Sequence, residues 1–284
     1  MAKRGKRLNR STGGTVAVLL FLILVACFMV TPMIFAIGNS LKPMDELFKF
    51  PPTLWPTNYT LDNFRNLFVL MSSSWVPMTR YLFNTLFITI AGTIGHILVV
   101  SMCAYPLSKY RFPLSGFINK IIELSLMFTA AVTGIPSYLI MSKLGWMDTY
   151  WALIIPTMGS AFGMYLMRQF MSQIPDSLLE SARIDGANQW QIFWKIVMPQ
   201  VKSAWLTLMI FQVQGLWNLG STTYVFKEQL KTLPYALQQI TAGGIARQGV
   251  ASAVAVVMML VPITIFIFCQ SNIIETMATS GMKE

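Results

Sequence analysis

Long apolar runs alternate with short polar stretches along the 284 residues of the chain. About 20 mostly apolar residues cross a bilayer core, so such runs read as membrane spans. Six stand out: Thr15–Ile37, Leu82–Tyr105, Phe117–Met141, Trp151–Phe170, Ala204–Leu219 and Val250–Ile274. The fifth is short and carries Gln212, Gln214 and Asn218. The pattern predicts an all-α integral membrane protein, with a basic segment over 1–14, a membrane domain over 15–274 and a tail over 275–284. Between spans four and five, the polar stretch 172–200 predicts two short helices. Pro175 precedes Ser177-x-x-Glu180, a capping-box spacing in which hydroxyl and carboxylate each satisfy a backbone N–H at a helix start. Gly186 can supply the left-handed residue that ends the first helix near Asp185. Asn188 to Gln191 offers a second cap, after which Trp190, Phe193, Trp194 and Val197 fall at i, i+3, i+4 and i+7. Pro199 is expected to stop that second helix.

Composition agrees with the spans: 55% of residues are hydrophobic and only 11% charged, which excludes an ordinary soluble domain. The net charge of +10 does not make a nucleic-acid binder, because the 21 Lys and Arg are scattered between apolar runs and form no basic face. Cys27, Cys103 and Cys269 each sit inside an apolar run without a Cys or His neighbour at metal-ligand spacing, which speaks against disulfides and zinc. The basic N-terminus could open a signal peptide, but the apolar run behind it is too long and no A-x-A site follows, so an uncleaved anchor is expected. Orientation follows from the positive-inside rule. With the N-terminus inside, inner segments hold 13 Lys and Arg and outer segments 8, so both termini and the 172–200 stretch are expected in the cytoplasm.

Polar residues inside spans narrow the chemistry. His96, the single histidine, has no acidic neighbour at helical spacing and reads as a packed, hydrogen-bonded residue. Glu123 follows Lys120 by one turn and reads as an interfacial pair. Gln212, Gln214 and Asn218 either bond between helices or face a watery path, where amides suit sugar hydroxyls because they both donate and accept. Trp217 beside Asn218 adds a ring that could meet the apolar face of a sugar. Asn58-Tyr59-Thr60 is a sequon to which no role is assigned. The 172–200 stretch has two readings: an amphipathic elbow resting on the bilayer, or a two-helix knob made for a partner's groove.

Glu180, Ala182, Asp185, Gly186, Ala187, Phe193, Ile196 and Pro199 match the E-A-A, D-G-A, F, I and P positions of the EAA loop of bacterial ABC-importer permeases, with Ser181 and Met198 in place of the usual Ala and Leu. The chain resembles that family, in its carbohydrate-uptake branch, over nearly its whole length. Asn39-Ser40-Leu41-Lys42 with Thr60-Leu61-Asp62-Asn63-Phe64 resembles the first outer loop. Ala104-Tyr105 with Tyr110-Arg111-Phe112-Pro113 resembles the loop between spans two and three, and Trp217-Asn218 sits where Trp-Asn is common. Gln270 and Gly281-Met282-Lys283 fit the tail, whereas Ser271-Asn272 and Glu275 depart from it.

The resemblance implies a type I importer permease of six transmembrane helices in the bacterial cytoplasmic membrane. It implies a second, homologous permease as partner in a heterodimer, two ATPase subunits gripped through Glu180, Ser181, Ala182, Asp185, Gly186, Ala187, Phe193 and Pro199, and an extracytoplasmic solute-binding lipoprotein. Asn218, Trp217 and Gln214 would lie on the path of a carbohydrate. The chain has no G-x-x-x-x-G-K-[ST], so it is expected to be no enzyme and to hold no cofactor, with ATP and Mg bound by the ATPase subunits. A non-sugar solute remains an alternative. An ion-coupled carrier lacks the intramembrane carboxylates it would need, and a hydrolase lacks G-x-S-x-G and a base with a partner.

Overall fold

The computed structural model describes residues 12–72, 76–220 and 223–280, and among these every regular element is helical. In chain order the helices are α1 (Thr12–Ser40), α2 (Met44–Leu47), α3 (Asp62–Ser72), α4 (Met78–Lys109), α5 (Ser115–Ser125), α6 (Ala130–Lys143), α7 (Trp151–Met158) and α8 (Ala161–Ser172). Then come α9 (Asp176–Ile184), α10 (Gln189–Ile192), a π-helical turn over Phe193–Val197, α11 (Met198–Gln200) and α12 (Lys202–Trp217). A 3-10 turn over Glu228–Leu230, α13 (Leu233–Thr241), a 3-10 turn over Ile245–Arg247 and α14 (Gln248–Ser280) complete the chain.

Among the described residues, three helices are long and apolar enough by themselves to cross a membrane: Gly13–Ser40, Met78–Lys109 and Gln248–Gln270. A fourth crossing appears if Gln189–Gln200 and Lys202–Trp217, bent by 77° to each other, count together. The third and fourth predicted spans are each divided. Thr129, in extended conformation, separates α5 from α6. Gly159 and Ser160 separate α7 from α8, and the Ser160 hydroxyl accepts the Gly163 N–H at 3.1 Å, a side-chain cap that competes with continuing the helix.

The chain divides into two compact units. One comprises the chain up to Leu70 together with Ile240–Val257. In it α1 is apolar on all sides and the side chains of its first half are exposed, the surface of a helix that meets lipid or another chain. The segment after α1 folds around buried polar groups. The Lys42 ammonium donates to Asn39 Oδ1 at 2.9 Å and to the Thr53 carbonyl, while Asn63 Nδ2 donates to the Ser40 and Lys42 carbonyls at 2.9 and 2.8 Å. Glu46 is buried, and its carboxylate accepts the Thr57 N–H at 2.6 Å and the Asn58 N–H at 3.3 Å, bonds to the charged form that hold its pKa below the usual carboxylate range. The residues that resemble the first outer loop are therefore one hydrogen-bonded cluster.

The other unit comprises Met71–Gln239 and the chain from Met258 onward. Its centre is α4, against which α7, α8 and α12 pack. Glycines let the helices approach closely: a Cβ on Gly92 would lie 2.6 Å from Leu216, one on Gly95 2.4 Å from Met158 and one on Gly163 2.9 Å from His96. His96 is buried with its Nδ1 3.1 Å from the Thr157 carbonyl, which also accepts Gln212 Nε2 at 3.0 Å. His96 is thus a packing residue as expected, and Gln212 bonds between helices. Glu123 differs from expectation: its carboxylate faces Arg168 at 3.7 Å, because the packing of α5 on α8 brings the arginine to it.

Candidate coupling site and path residues

The polar stretch after α8 folds as two short helical arms about Gly186. α9 ends at Ile184, Asp185 caps it, and Gly186 has φ 82°, a left-handed value that side chains other than glycine rarely adopt. The Ala187 N–H reaches back to the Ala182 carbonyl at 3.0 Å, closing the helix end. The second arm begins with a full capping box: Asn188 Oδ1 accepts the Gln191 N–H and Gln191 Oε1 accepts the Asn188 N–H, both at 2.9 Å.

Two details of this stretch correct the sequence reading. Pro175, and not Ser177, is the residue before α9, and no side chain caps its start. Ser177 lies within the first turn, where its carbonyl accepts the Ser181 hydroxyl at 2.9 Å, so Glu180 has no cap to complete. Proline already fixes an extended entry whose φ suits the helix start, which makes a serine cap unnecessary. Nor does Pro199 stop the second arm. The helix widens into a π turn over Phe193–Val197 and continues through Pro199 to Gln200. Proline cannot supply the α-helical bond to the Lys195 carbonyl, and the π turn absorbs that gap.

The knob has a buried side and an exposed side. Leu179, Ala182, Ile192, Phe193, Val197 and Met198 join one core with Val100, Ala104 and Tyr105 of α4 and Met167 and Met171 of α8. Of the expected aromatic stripe, Phe193 and Val197 are buried in this core, whereas Trp190 and Trp194 are exposed. Glu180, Ser181, Asp185 and Gly186 are exposed, and Pro199 also faces outward. Ile184, one helical turn from Glu180, is 86% exposed, a large apolar side chain at the tip of the first arm that sequence reasoning passed over. Its sequence signal was an isoleucine next to Asp185-Gly186 that belongs to no buried stripe.

The end of α4 grips both arms, a role the sequence did not reveal. The Lys109 ammonium bonds Asp176 Oδ1 at 2.8 Å and the Ile174 carbonyl, and this hydrogen bond and charge hold the Asp176 carboxyl below the usual range. The Tyr110 hydroxyl donates to Gln189 Oε1 at 2.6 Å and accepts from Arg183 Nη2 at 3.3 Å, joining second arm to first. Tyr105 stands between the Tyr110 and Phe193 rings at 5.7 and 5.5 Å. The only signal was the likeness of Ala104-Tyr105 and Tyr110 to a family loop, and a likeness does not say what those residues touch.

Of the three path candidates, Gln214 and Asn218 are exposed at the end of α12, with Asn218 Nδ2 bonded to the Gln214 carbonyl at 2.8 Å. Trp217 is 2% exposed, and its indole N–H donates to the Met258 carbonyl at 2.9 Å. Its ring is packed inside the chain and is not presented next to the Asn218 amide.

A bundle of apolar helices carrying an exposed helix, glycine, helix knob defines a membrane permease component of the importer type. Residues 96–277 match the family described as binding-protein-dependent transport system inner membrane component, and the chain belongs to that family. Its members are transport components and not enzymes. The chain is 28% identical over 281 residues to the protein LplC of Bacillus subtilis (strain 168), covering 93% of each. It is 32% identical to the polygalacturonan/rhamnogalacturonan transport system permease protein YtcP of the same organism, covering 81% of this chain and 78% of YtcP. The sn-glycerol-3-phosphate transport system permease protein UgpE of Yersinia enterocolitica is 32% identical over 69% of this chain and 70% of its own. The fold is similar to a chain of a bacterial ABC transporter involved in import of the acidic polysaccharide alginate, with TM-score 0.78 and 23% identity over 93% of this chain and 99% of that one.

Proposed function

We propose that the chain is one of two non-identical permease subunits of a bacterial ABC importer for a carbohydrate, driven by two ATPase subunits that bind the ATP and Mg and supplied by an extracytoplasmic solute-binding lipoprotein. Six apolar segments cross the membrane, with the divided pairs α5–α6 and α7–α8 as single crossings and both termini in the cytoplasm. One observation carries the reading: a knob with a buried side locked onto α4 and α8 and an exposed side offering Glu180, Asp185, Ile184 and Trp190. A bilayer elbow would bury its apolar side chains in lipid and would not need a rigid seat. Glu180, Ser181, Ala182, Asp185, Gly186, Ala187, Phe193 and Pro199 then form the coupling site, with Ala182 and Phe193 seating it and the others shaping or presenting its outer surface. Asn218 and Gln214 line the solute path, and Trp217 holds the end of α12 in place. The sugar assignment is supported by the likeness to YtcP, and the likeness to UgpE favours a phosphorylated polyol as second reading.

The test is expression with the neighbouring transport genes. The chain should purify with a second permease and ATPase, and cysteines at Ser177 and Asn58 should label from opposite sides of the membrane. Labelling of Ser177→Cys by an impermeant reagent from outside intact cells, or ATP hydrolysis by the isolated chain, would sink the proposal. Sugar and polyol-phosphate panels on the solute-binding protein separate the two solutes.

A further inference from the structure

At the end of α4 opposite the knob, four side chains bind the loop that follows α12, beginning with Arg80, whose Nε–H donates to the Gln229 carbonyl at 3.2 Å. Asn84 and Thr85 are fully buried. Asn84 Nδ2 donates to the Gln229 carbonyl at 2.9 Å and to the Lys231 carbonyl at 2.8 Å, while its Oδ1 accepts the Tyr150 hydroxyl at 2.7 Å. The Thr85 hydroxyl donates to the Tyr81 carbonyl at 2.9 Å and accepts the Leu233 N–H at 2.8 Å. The Tyr81 hydroxyl donates to Glu228 at 2.7 Å. The backbone groups of alternate residues, the Gln229 and Lys231 carbonyls and the Leu233 N–H, thus have their partners on one helix. The loop gains a second tie from Asp148, whose Oδ1 accepts the Phe226 and Lys227 N–H groups at 2.6 and 2.9 Å.

The same helix, one unbroken element of 32 residues, ends in the Tyr105, Lys109 and Tyr110 grip on the knob. From Thr85 to Lys109 it spans roughly 35 Å at about 1.5 Å per residue. Close contacts at Gly92 and Gly95 lock its middle to α12 and α7. Pro106 interrupts the hydrogen-bond ladder near the knob end, but Tyr105, which packs on Phe193, lies before it, and between Thr85 and Tyr105 the helix has no proline at which a displacement could be lost.

We infer that α4 carries displacement of the knob to the loop 226–233, and that Asn84 and Thr85 are positioning residues that make this loop follow the ATPase. The inference rests on the coupling role proposed for the knob and on the orientation that places residues 226–233 outside. The loop cannot move independently of α4 without breaking the bonds at the Gln229 and Lys231 carbonyls and stranding the buried Leu233 N–H, and a buried backbone group left unpaired is costly. A stroke of the knob is therefore read out as a stroke of the outer loop.

The experiment uses the whole reconstituted transporter in nanodiscs, with Cys27, Cys103 and Cys269 replaced by Ser and Lys227→Cys as the reporter. Lys227 is exposed, and the bond it makes to Asp148 uses its backbone N–H, which cysteine retains. The parent should show a labelling rate at 227 that differs about fivefold between nucleotide-free and ATP-vanadate states, within the usual range of allosteric coupling. Thr85→Val, nearly the same shape without the acceptor, and Asn84→Leu should bring the two rates together while ATPase stays bound, and Thr85→Ser should restore the difference. Should Asn84→Leu fail to assemble, the Thr85 pair decides. A full difference at 227 in Thr85→Val would overturn the inference, as would a parent that transports but labels equally in both states. A parent that purifies without ATPase refutes the coupling role itself, and the inference with it.

Discussion

Gly186 offers the sharpest perturbation, because its cost can be worked from backbone geometry alone. A Cβ built on it meets nothing within 4 Å, so a substitution there produces no clash and the whole penalty lies in the φ of 82°. Holding an ordinary L-residue left-handed costs about 1–2 kcal/mol, which translates into roughly 5- to 30-fold loss of the native turn's weight. Asparagine visits this region with little penalty and a β-branched residue least readily. The substitutions should therefore rank Asn, Ala, Val in increasing damage. The chain relieves strain most cheaply by opening the Ala187 to Ala182 bond at the end of α9, which re-aims the second arm while leaving the core under Phe193 in place. Permease level should stay constant while ATPase retained per permease falls, by up to about 30-fold in Gly186→Val. The assay is ATPase bound per permease in detergent at graded ATPase concentration, with uptake alongside. Equal retention for Asn and Val, or loss of the permease itself in all three, would refute the reasoning, since it would place the role of Gly186 elsewhere than in its φ.

Other expectations follow from particular contacts. A depressed carboxyl pKa means stability that is present above the unfolded value and lost as pH falls through the lower folded value; protease protection of the knob, held by Asp176 and Lys109, and of the outer loop, held by Glu46, should therefore be flat from neutral pH to about 5 and fall only below the ordinary carboxylate range near 4. Gly38→Ala would set a Cβ 2.1 Å from the Leu54 carbonyl oxygen, a backbone atom that cannot turn away, so the loop should shift at a cost of about 1–3 kcal/mol, seen as faster proteolysis within 42–60. Trp217→Phe removes the donor to the Met258 carbonyl and should lower the thermal midpoint of the complex by an amount matching about 1 kcal/mol, with the apparent KM for uptake unchanged. Asn218→Ala should raise that KM without altering ATPase retention, and unchanged uptake over the full substrate range would remove Asn218 from the path.

Much of the molecule was legible in one dimension, since hydropathy and glycine chemistry act locally. The apolar runs marked the places of α1, α4, α12 and α14 because an apolar surface along a whole helix has few homes outside a membrane. Asp185-Gly186 marked the knob's corner, as a positive φ selects glycine whatever surrounds it. Asn188 to Gln191 marked the second arm, whose cap bonds join residues three apart. Where two local signals competed, the sequence could not weigh them: Pro175 displaced the Ser177 cap, and a π turn carried the helix past Pro199. What only the tertiary structure decided is which distant residues share a surface. Asn84 meets Gln229 and Lys231, Tyr110 meets Arg183 and Gln189, and Trp217 turns inward to Met258, each a pairing of residues far apart in the chain that packing brings together. No spacing along the chain encodes such pairs. A polar side chain in an apolar helix announces only that it needs a partner, and the fold chooses which one.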